Sequence, residues 1–402
     1  MHSLRREPFN RAYTDALFQS YRERLERRAG PITFPLAETP LFLSPELRDA
    51  LGREARAVVA QLSAPANLER QMRAIPDAVR APGMDALPNC LQVDFALVEG
   101  KDGKLEGRLV ELQAFPSLYA IETLMAEAWR ETLAPLPGLG GAWTCFMGMS
   151  DHAALELMRS TILGDASPEE TALVDVDPAE QKTRPDFVAT KTLFDVDTVC
   201  VRDIVKRGRS LYRPRPSDGK LVPLKRFYNR LVFDELEKKE VAMPFDWRDD
   251  LDLTFCSHPN WYWVWSKFSL PLLDHPWVPK ARYLADVDVA NEDLSNVVLK
   301  PLFSFAGAGV VLDVTREICD KIPAEQRPYW LLQERFHYAE AIRAPDGAGV
   351  KAEVRVMLLR PPAAPELVPL ICLVRLSRGK MLGVDFNQGL KWVGGSVGLW
   401  AD

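Results

Sequence analysis

The chain has 402 residues, of which 47% are hydrophobic and 26% are charged, and its formal net charge is -6. This length predicts two or three lobes, since single cores usually stop growing at about 250 to 300 residues. The composition argues against nucleic acid as a partner, because there is no basic block, and against a membrane span, because no apolar run approaches roughly 20 residues.

The start of the chain, MHSLRREPFNRAY, is basic but lacks the apolar segment of a secretory signal. We therefore expect a cytoplasmic protein without a membrane partner. The six cysteines are scattered, without a CxxC pair or a spacing typical of zinc sites. They are expected to be reduced residues of the core.

The first 88 residues are predicted to form a helical N-terminal region. Apolar residues recur at helical spacing over 8–30 and 45–80, among many Arg and Glu residues. Ser44 followed by Pro45 is typical of a helix start, because proline suits the first helical position and serine caps the free amides.

A strand pair is predicted for Leu91 to Phe115, where two alternating apolar segments flank a glycine-containing turn. Since alternate residues of a strand point the same way, we expect Asp94, Glu111 and Gln113 to share one face. Carboxylate and amide oxygens are ligands that Mg²⁺ accepts, so these three residues form a candidate magnesium site. The alternative is a cross-strand surface pair without a metal.

Next, a helix is predicted for Ser117 to Leu133, and the stretch PLPGLGG after it marks a boundary. From about residue 150 to residue 255, helical stretches alternate with short apolar strands. This pattern favours an open α/β sheet. Such sheets bind ligands at the carboxyl ends of their strands, so we expect a substrate lobe here.

Two lysines and a loop are candidates for phosphate binding. Lys267 ends the aromatic stretch WYWVWSK, and Lys300 ends the buried strand VVLK, where its ammonium requires an anionic partner. In the loop that follows, Gly307 and Gly309 allow positive φ angles and leave backbone amides open to phosphate oxygens. A glycine-bearing hairpin beside an ordinary lysine explains the same residues without a ligand.

The segment from Tyr329 to Phe336, YWLLQERF, has the pattern of a nucleotide hinge. It ends in Gln333 and Glu334, and Glu340 follows seven positions after Gln333. Adenine requires an apolar slot, here extending to Phe336, with amide hydrogen bonds, and ribose requires a carboxylate such as Glu340. We therefore predict that this segment binds ATP.

Two alternating strands are predicted in the last third of the chain, and they carry Arg355 and Arg375. An arginine near a strand end can bind a phosphate or a carboxylate with both of its nitrogens, although each is equally explained as a surface residue. Further on, Asp385 and Asn387 lie two positions apart and form an alternative metal pair. A glycine-rich loop is predicted for 394–397.

These motifs together resemble the ATP-grasp superfamily. The order of the motifs, with the metal hairpin ahead of the nucleotide elements, is similar to the circularly permuted branch that includes eukaryotic-type glutathione synthetase and glutathionylspermidine synthase. The similarity extends from about residue 90 to the end. Its pieces are the small-residue loop, the segment VPKARYL, and Ser266, Lys267, Lys300, Pro301, Gln333, Glu334 and Glu340.

The resemblance implies an ATP- and magnesium-dependent ligase that joins a small carboxylate to an amine through an acylphosphate and releases ADP. It implies an α/β fold of the ATP-grasp kind, with a helical N-terminal region and an open-sheet substrate lobe. It also makes Arg230 a candidate contact to the substrate, whereas an ion pair with Asp234 or Glu235 is the alternative. The implied regions are 1–88 (helical), 89–140 (metal-binding hairpin and helix), 141–258 (substrate lobe) and 259–402 (nucleotide-binding lobes).

Three positions depart from the family pattern. Gln113 replaces an asparagine and keeps its carbonyl oxygen, whereas Gln92 replaces an arginine and so removes a cation that would hold an acidic substrate. Ser304 stands where glutathione synthetases have a metal-binding glutamate. This last difference motivates an alternative function, a regulatory or scaffold protein that binds ATP without turnover.

Overall fold

The computed structural model of the chain describes residues 3–303, 309–379, 387 and 389–401. Within these residues, the α-helices are α1 (Ser3–Ala12), α2 (Asp15–Ala29), α3 (Pro45–Leu62), α4 (Pro65–Gln71), α5 (Tyr119–Leu133), α6 (Asp151–Leu163), α7 (Arg184–Phe194), α8 (Phe233–Lys238), α9 (Trp261–Val264) and α10 (Arg316–Asp320). None of these helices is long and apolar enough to cross a bilayer.

Strands make up four sheets in the described part of the chain. They are β1 (Leu41–Phe42), β2 (Cys90–Glu99), β3 (Leu105–Gln113), β4 (Thr171–Asp175), β5 (Asp197–Cys200), β6 (Val205–Arg207), β7 (Ser210–Pro214), β8 (Leu221–Leu224), β9 (Arg226–Asn229), β10 (Thr254–Cys256), β11 (Ala281–Tyr283), β12 (Val297–Pro301), β13 (Trp330–Glu334), β14 (Glu340–Arg343), β15 (Gly349–Leu359), β16 (Val368–Ser377) and β17 (Gly394–Leu399).

The largest sheet joins distant parts of the sequence. Its strand order is β1-β17-β16-β15-β2-β3, with β14 paired to β15. The predicted β2–β3 hairpin is confirmed, and it lies directly beside β15 from the last third of the chain. Polar residues of the hairpin therefore share a face with residues that follow them by more than 250 positions.

The N-terminal helices confirm the predicted helical region. The hydroxyl of Ser44 accepts a hydrogen bond from the backbone N of Leu47 at 3.3 Å, and Pro45 occupies the first turn of α3, as the sequence indicates. Helix α2 packs on α5, where the rings of Tyr21 and Trp129 stack with their centroids 4.0 Å apart. This contact buries both rings in the main core.

Helix α5 begins two residues later than predicted. Leu118 has a φ of 67°, a left-handed conformation that is not helical, so the helix begins at Tyr119. The carboxylate of Asp186 accepts hydrogen bonds from the backbone N of Leu118 at 2.9 Å and of Ile121 at 3.1 Å. A capping side chain from another part of the chain thus fixes the start of the helix.

A second sheet confirms the predicted open α/β lobe. Its four strands are all parallel, in the order β10-β9-β4-β5. The smaller antiparallel sheet β6-β7-β8 follows β5 in the sequence. The carboxyl end of β4 is Asp175, and Arg230 directly follows β9, so both residues lie at the edge where such sheets bind ligands.

The third sheet carries the predicted phosphate and hinge strands. Strand β13 lies between β11 and β12 and is antiparallel to both. The predicted strand after the loop is reduced to one antiparallel bridge between Leu299 and Val311. The mixed α/β class is thus confirmed, with several separate sheets.

The glycine-rich stretch predicted as a loop is instead strand β17, an error with a clear physical reason. A Cβ at Gly394 would lie 2.5 Å from the backbone oxygen of Pro35. Glycine is therefore required there because another backbone approaches closely and because its φ of 119° is one that other residues rarely adopt.

Candidate functional site

Four polar side chains of the β2–β3 hairpin share one face of the large sheet. Asp94 pairs with Glu111 across the two strands, and Gln92 pairs with Gln113. On the other side of β2, Arg355 of β15 lies opposite Asp94. Residues directly opposite each other in neighbouring strands share a face, so the predicted common face is confirmed.

Asp94 is fully buried and binds two arginines. Its two oxygens accept hydrogen bonds from Nε of Arg355 at 2.6 Å and from Nη2 of the same guanidinium at 2.7 Å. Arg375 also pairs with Asp94. Because both carboxylate oxygens are engaged by guanidinium groups, the geometry argues against the predicted metal-binding role, and we do not retain Asp94 as a ligand.

The contacts of Asp94 belong to a larger set that we call the ion network: Asp94, Glu353, Arg355 and Arg375. Arg375 pairs with both Asp94 and Glu353, and the hydroxyl of Tyr338 donates a hydrogen bond to Glu353 at 2.8 Å. The network is satisfied only in part, because Nε of Arg375 is buried without a hydrogen-bond partner among the described residues.

Sequence reasoning identified three members of the ion network but missed Glu353 and its partner Tyr338. A signal was present in the segment KAEVRVMLL. There Glu353 and Arg355 are two positions apart in an otherwise apolar strand, and thus lie on the same face. Two charged residues on one face of a buried strand require partners.

Gln113 is held by the ion network. With its amide oxygen turned towards Arg355, Gln113 accepts hydrogen bonds from that guanidinium at 2.7 and 3.1 Å. Gln92, which pairs with Gln113 across the hairpin, donates to the backbone oxygen of Ser117 at 2.6 Å. The amide oxygen predicted as a metal ligand is therefore oriented by an arginine.

Glu111 has a different environment from Asp94. Its carboxylate lies 3.4 Å from Nζ of Lys267, and 20% of its side chain is exposed. Burial by itself raises its pKa, but the charges of Lys267 and of the neighbouring arginines and Lys300 outweigh burial and lower the pKa to about 2. Glu111 is therefore an anion at any ordinary pH.

Glu111 opens onto a small cleft of about 20 Å³. Strand β3, the segment from α9 to Lys267 and the end of β12 form its walls. One end of the lining is polar and the remainder is apolar or aromatic. The lining residues are Glu111, Leu112, Gln113, Ala114, Phe115, Tyr262, Ser266, Lys267, Leu302 and Phe303.

The two predicted phosphate-binding lysines both lie near Glu111. Lys267 begins a 3₁₀ helix, Lys267–Leu272, which Ser266 caps by accepting from the backbone N of Phe268 at 3.2 Å. Lys300 donates to the backbone oxygen of Val110 at 3.2 Å. Burial, together with the charge of Lys267, lowers the pKa of Lys300 to about 8.

Gln333 supports Lys300 from within the protein. Its amide oxygen accepts from Nζ of Lys300 at 2.6 Å, and its amide nitrogen donates to the backbone oxygen of Leu109 at 3.2 Å. The predicted hydrogen bond from this side chain to adenine does not fit, because the amide is buried and both of its ends are engaged. The central position of β13 in its sheet explains the burial.

The other hinge residues lie nearer the surface. Glu334 is exposed and accepts from the backbone N of Lys280 at 3.4 Å. Glu340 pairs with Arg343 at 3.9 Å, and the ring of Phe336 lies 5.8 Å from that of Tyr338. Their nucleotide-binding roles stay predictions.

The small-residue loop is only partly described. Gly307 and Ser304 lie outside the described residues. Gly309 has a φ of 73°, as expected for the loop, and a Cβ there would lie 3.0 Å from Cγ of Pro301.

Arg230 is buried near the cleft and does not form the alternative ion pair predicted for it. It donates to the backbone oxygen of Pro116 and, at 3.2 Å, to the hydroxyl of Thr183. Its guanidinium also lies 5.1 Å from the ring centre of Phe115 and 5.4 Å from that of Phe187. Since Phe115 lines the cleft, Arg230 lies behind the wall of the cleft.

The alternative metal pair receives no support from its described member. The side-chain oxygen of Asn387 accepts hydrogen bonds from the hydroxyl of Ser377 and from the backbone N of Arg378 and of Gly379, at 3.0 to 3.1 Å. These bonds shape the end of β16. Asp385 lies outside the described residues.

Magnesium fits this site only as an ion shared with a nucleotide. The described residues contain no group of three His, Cys, Asp or Glu side chains that could hold a metal ion. They do offer the Glu111 carboxylate beside the amide of Gln113. Mg²⁺ commonly takes one or two carboxylates and fills its other positions with phosphate oxygens and water, so Glu111 suits that role.

Comparisons with known proteins agree with this geometry at the level of the fold. No protein-family model matches the sequence, and no curated protein matches it. Among solved structures, the chain is similar to a glutathione synthetase-like effector from Globodera pallida in its apo form, with 12% identity and a TM-score of 0.53. The match covers 90% of this chain and 94% of that chain, so the chain shares the overall fold of a glutathione synthetase-like protein.

Proposed function

We propose that the protein is an ATP- and magnesium-dependent ligase that joins a carboxylic acid to an amine and forms ADP. The observation that carries the proposal is the anionic Glu111, placed at a cleft beside Lys267 and close to Lys300. A carboxylate between two lysines suits a nucleoside triphosphate with its metal ion, because the carboxylate can bind the metal and the lysines can bind the phosphates.

In this proposal the nucleotide phosphates are bound by Lys267, Lys300 and the backbone amides of the loop that contains Gly307 and Gly309. With a pKa of about 8, Lys300 is mostly protonated at neutral pH and can donate to a phosphate oxygen. Magnesium, when bound, would neutralise charge on the transferred phosphoryl group. Glu111 would hold it, whereas the amide oxygen of Gln113, predicted as a second ligand, already accepts two hydrogen bonds from Arg355.

The reaction then proceeds in two steps. A carboxylate oxygen of the acid attacks the γ-phosphorus of ATP, the bond to ADP breaks, and an acylphosphate forms. The amine nitrogen then attacks the acyl carbon, and phosphate leaves. Arg375 is our candidate for stabilising the developing negative charge, because 32% of its side chain is exposed, whereas Arg355 is buried and orients Gln113.

The test is ADP release by the purified protein with ATP, Mg²⁺ and pools of small acids and amines. We expect ADP to appear only when both an acid and an amine are present, or faster in that case than with either alone. In parallel, calorimetry should detect binding of ATP with magnesium. If millimolar nucleotide neither binds nor raises the melting temperature, the ATP-dependent function is wrong.

A second candidate is an ATP-binding regulatory or scaffold protein without turnover. The engagement of Asp94 by two arginines favours it, because of the two carboxylates predicted as metal ligands this leaves only Glu111 available to a metal. Nucleotide binding without acid-stimulated ADP release would support this candidate.

A further inference from the structure

The short 3₁₀ helix that begins at Lys267 leaves one backbone carbonyl without its usual donor. In such a helix each carbonyl accepts from the N–H three positions later, and for Phe268 that position is Pro271, which has no N–H. Buried backbone oxygens are normally paired, so the carbonyl next to Lys267 requires a donor from another part of the chain.

Tyr283 of β11 supplies this donor. Its hydroxyl donates to the backbone oxygen of Phe268 at 2.6 Å, and the two rings pack with their centroids 5.3 Å apart. Burial raises the pKa of Tyr283, so the hydroxyl keeps its proton and remains a donor. The backbone N of Phe268 donates to the hydroxyl oxygen of Ser266 at 3.2 Å. Side chains therefore bind both backbone polar atoms of the residue that follows Lys267.

The strand that carries Tyr283 belongs to the same sheet as the second lysine of the site. Tyr283 lies opposite Leu331 of β13, and Leu331 lies opposite Lys300 of β12. Residues directly opposite each other in neighbouring strands share a face, so Tyr283 and Lys300 project from the same face of this sheet. The sheet therefore carries Lys300 directly and is joined to the residue beside Lys267 by one hydrogen bond.

We propose that Tyr283 is a positioning residue of the nucleotide site, which fixes Lys267 relative to Lys300 through the carbonyl of Phe268. Two cations bind the phosphates of one nucleotide most tightly when their separation is set before the nucleotide arrives. Without the Tyr283 hydroxyl, the helix keeps its Ser266 cap but loses this link to the sheet that carries Lys300. The inference rests on the proposed ATP-dependent function and adds a residue to its nucleotide site.

The test measures the affinity of the full-length protein for ATP with Mg²⁺ by calorimetry, so that the acid and the amine need not be known. Tyr283→Phe removes the hydroxyl and keeps the ring. We expect this variant to bind ATP about fivefold more weakly than the wild type, an effect typical of a residue that acts through a neighbour. The control Tyr329→Phe removes a hydroxyl from a tyrosine that is 58% exposed, and should bind ATP as the wild type does.

A double-mutant cycle separates positioning of Lys267 from a general weakening of the fold. In the Lys267→Met background, Tyr283→Phe should change the affinity for ATP by less than about twofold, because the ammonium that Tyr283 positions is absent. In the Lys300→Met background, the loss should remain about fivefold, because Lys267 is still present. A hydroxyl that only stabilised the fold would lower the affinity equally in both backgrounds.

The outcomes separate this inference from the proposed function. If the wild type binds ATP but Tyr283→Phe or Lys267→Met binds it equally well, or if the loss is the same in both lysine backgrounds, Tyr283 does not position Lys267 and the ATP-dependent function stands. If the wild type does not bind ATP, the proposed function is wrong and the role of Tyr283 falls with it. Should Tyr283→Phe fail to fold, Ser266→Ala, which removes the other side chain bound to the Phe268 backbone, replaces it in the same cycle.

Discussion

The charged face of the large sheet and the carboxyl end of the parallel sheet both bury arginine and carboxylate side chains. On the large sheet, Arg355 and Arg375 pair directly with Asp94. At the end of the parallel sheet, Arg230 donates to the neutral oxygens of Pro116 and Thr183 instead, and Asp175 accepts a bond from the backbone N of Val176 at 2.7 Å.

Two carboxylates, Glu111 of the large sheet and Asp175 of the parallel sheet, differ accordingly in their charge. The pKa of Glu111 is lowered to about 2 because cations around it outweigh its burial. Burial raises the pKa of Asp175 to about 7, and the charge of Arg230 offsets this only in part. Burial by itself therefore does not decide whether a carboxylate is charged, because the nearby partners do.

The largest effect is expected for Glu111→Gln. The change keeps the shape of the side chain but removes the anion that would hold magnesium, so the rate of ADP release should fall by roughly a thousandfold. ATP should still bind through Lys267 and Lys300, as measured by calorimetry. The control is Glu106→Gln on the same strand, whose side chain is 30% exposed and pairs with Arg108.

The opposite result for two variants would place the metal at a different site. If Glu111→Gln leaves turnover intact and Asp385→Asn abolishes it, the metal belongs to the C-terminal pair. The permuted order of the motifs would then be wrong.

The next largest effect is expected for Asp94→Asn. The change removes the carboxylate that pairs with the guanidinium groups of Arg355 and Arg375. Breaking a buried ion pair in this way typically lowers the free energy of unfolding by about 3 to 5 kcal/mol. Unfolding in urea should show this loss. The control Asp102→Asn, in the exposed turn of the same hairpin, should change the free energy of unfolding by less than about 1 kcal/mol. A small loss for Asp94→Asn would contradict the ion network.

Asp175→Asn tests the other region through pH. The folded-state pKa of about 7 lies above the unfolded value near 3.9, so the folded protein binds more protons between these pH values. The stability that depends on this proton is present below about pH 4 and is lost as pH rises through 7. We expect the variant to exceed the wild type in stability by up to about 4 kcal/mol at pH 8, and by much less at pH 4.

The measurement for Asp175 is urea unfolding of both proteins from pH 4 to pH 8. The control is Asp203→Asn, at an exposed aspartate of the same lobe. Its free energy of unfolding should change with pH as that of the wild type does. A constant difference between Asp175→Asn and the wild type across this range would mean that Asp175 is already charged at pH 5.

The smallest effect is expected for Lys300→Met, which should weaken ATP binding by about tenfold, or 1.4 kcal/mol, through the loss of one charge-assisted hydrogen bond. Since the pKa of Lys300 is about 8, the difference from the wild type should shrink between pH 7 and pH 9. Lys321→Met, at a lysine that is 72% exposed, is the matched control and should bind ATP as the wild type does. If the wild type and Lys300→Met bind ATP equally at pH 7, Lys300 does not contact the phosphates.

The sequence by itself determined the local elements and the faces of the strands. Alternation in the hairpin placed Asp94 and Glu111 on one face, and Ser44 with Pro45 fixed the start of α3, because both signals involve residues close together in the chain. The order of the motifs also indicated a glutathione synthetase-like fold.

Only the tertiary structure decided which of these side chains have partners. Arg355 follows Asp94 by 261 positions, and no local pattern indicates that their strands are neighbours. The same holds for Gln333, whose amide accepts from Lys300 of β12 and donates to the backbone oxygen of Leu109 in β3, a strand of another sheet. The sequence therefore identified most charged residues of the site but not Glu353, and strand pairing over long distances determined that Glu111 opens onto the cleft while Asp94 is enclosed by arginines.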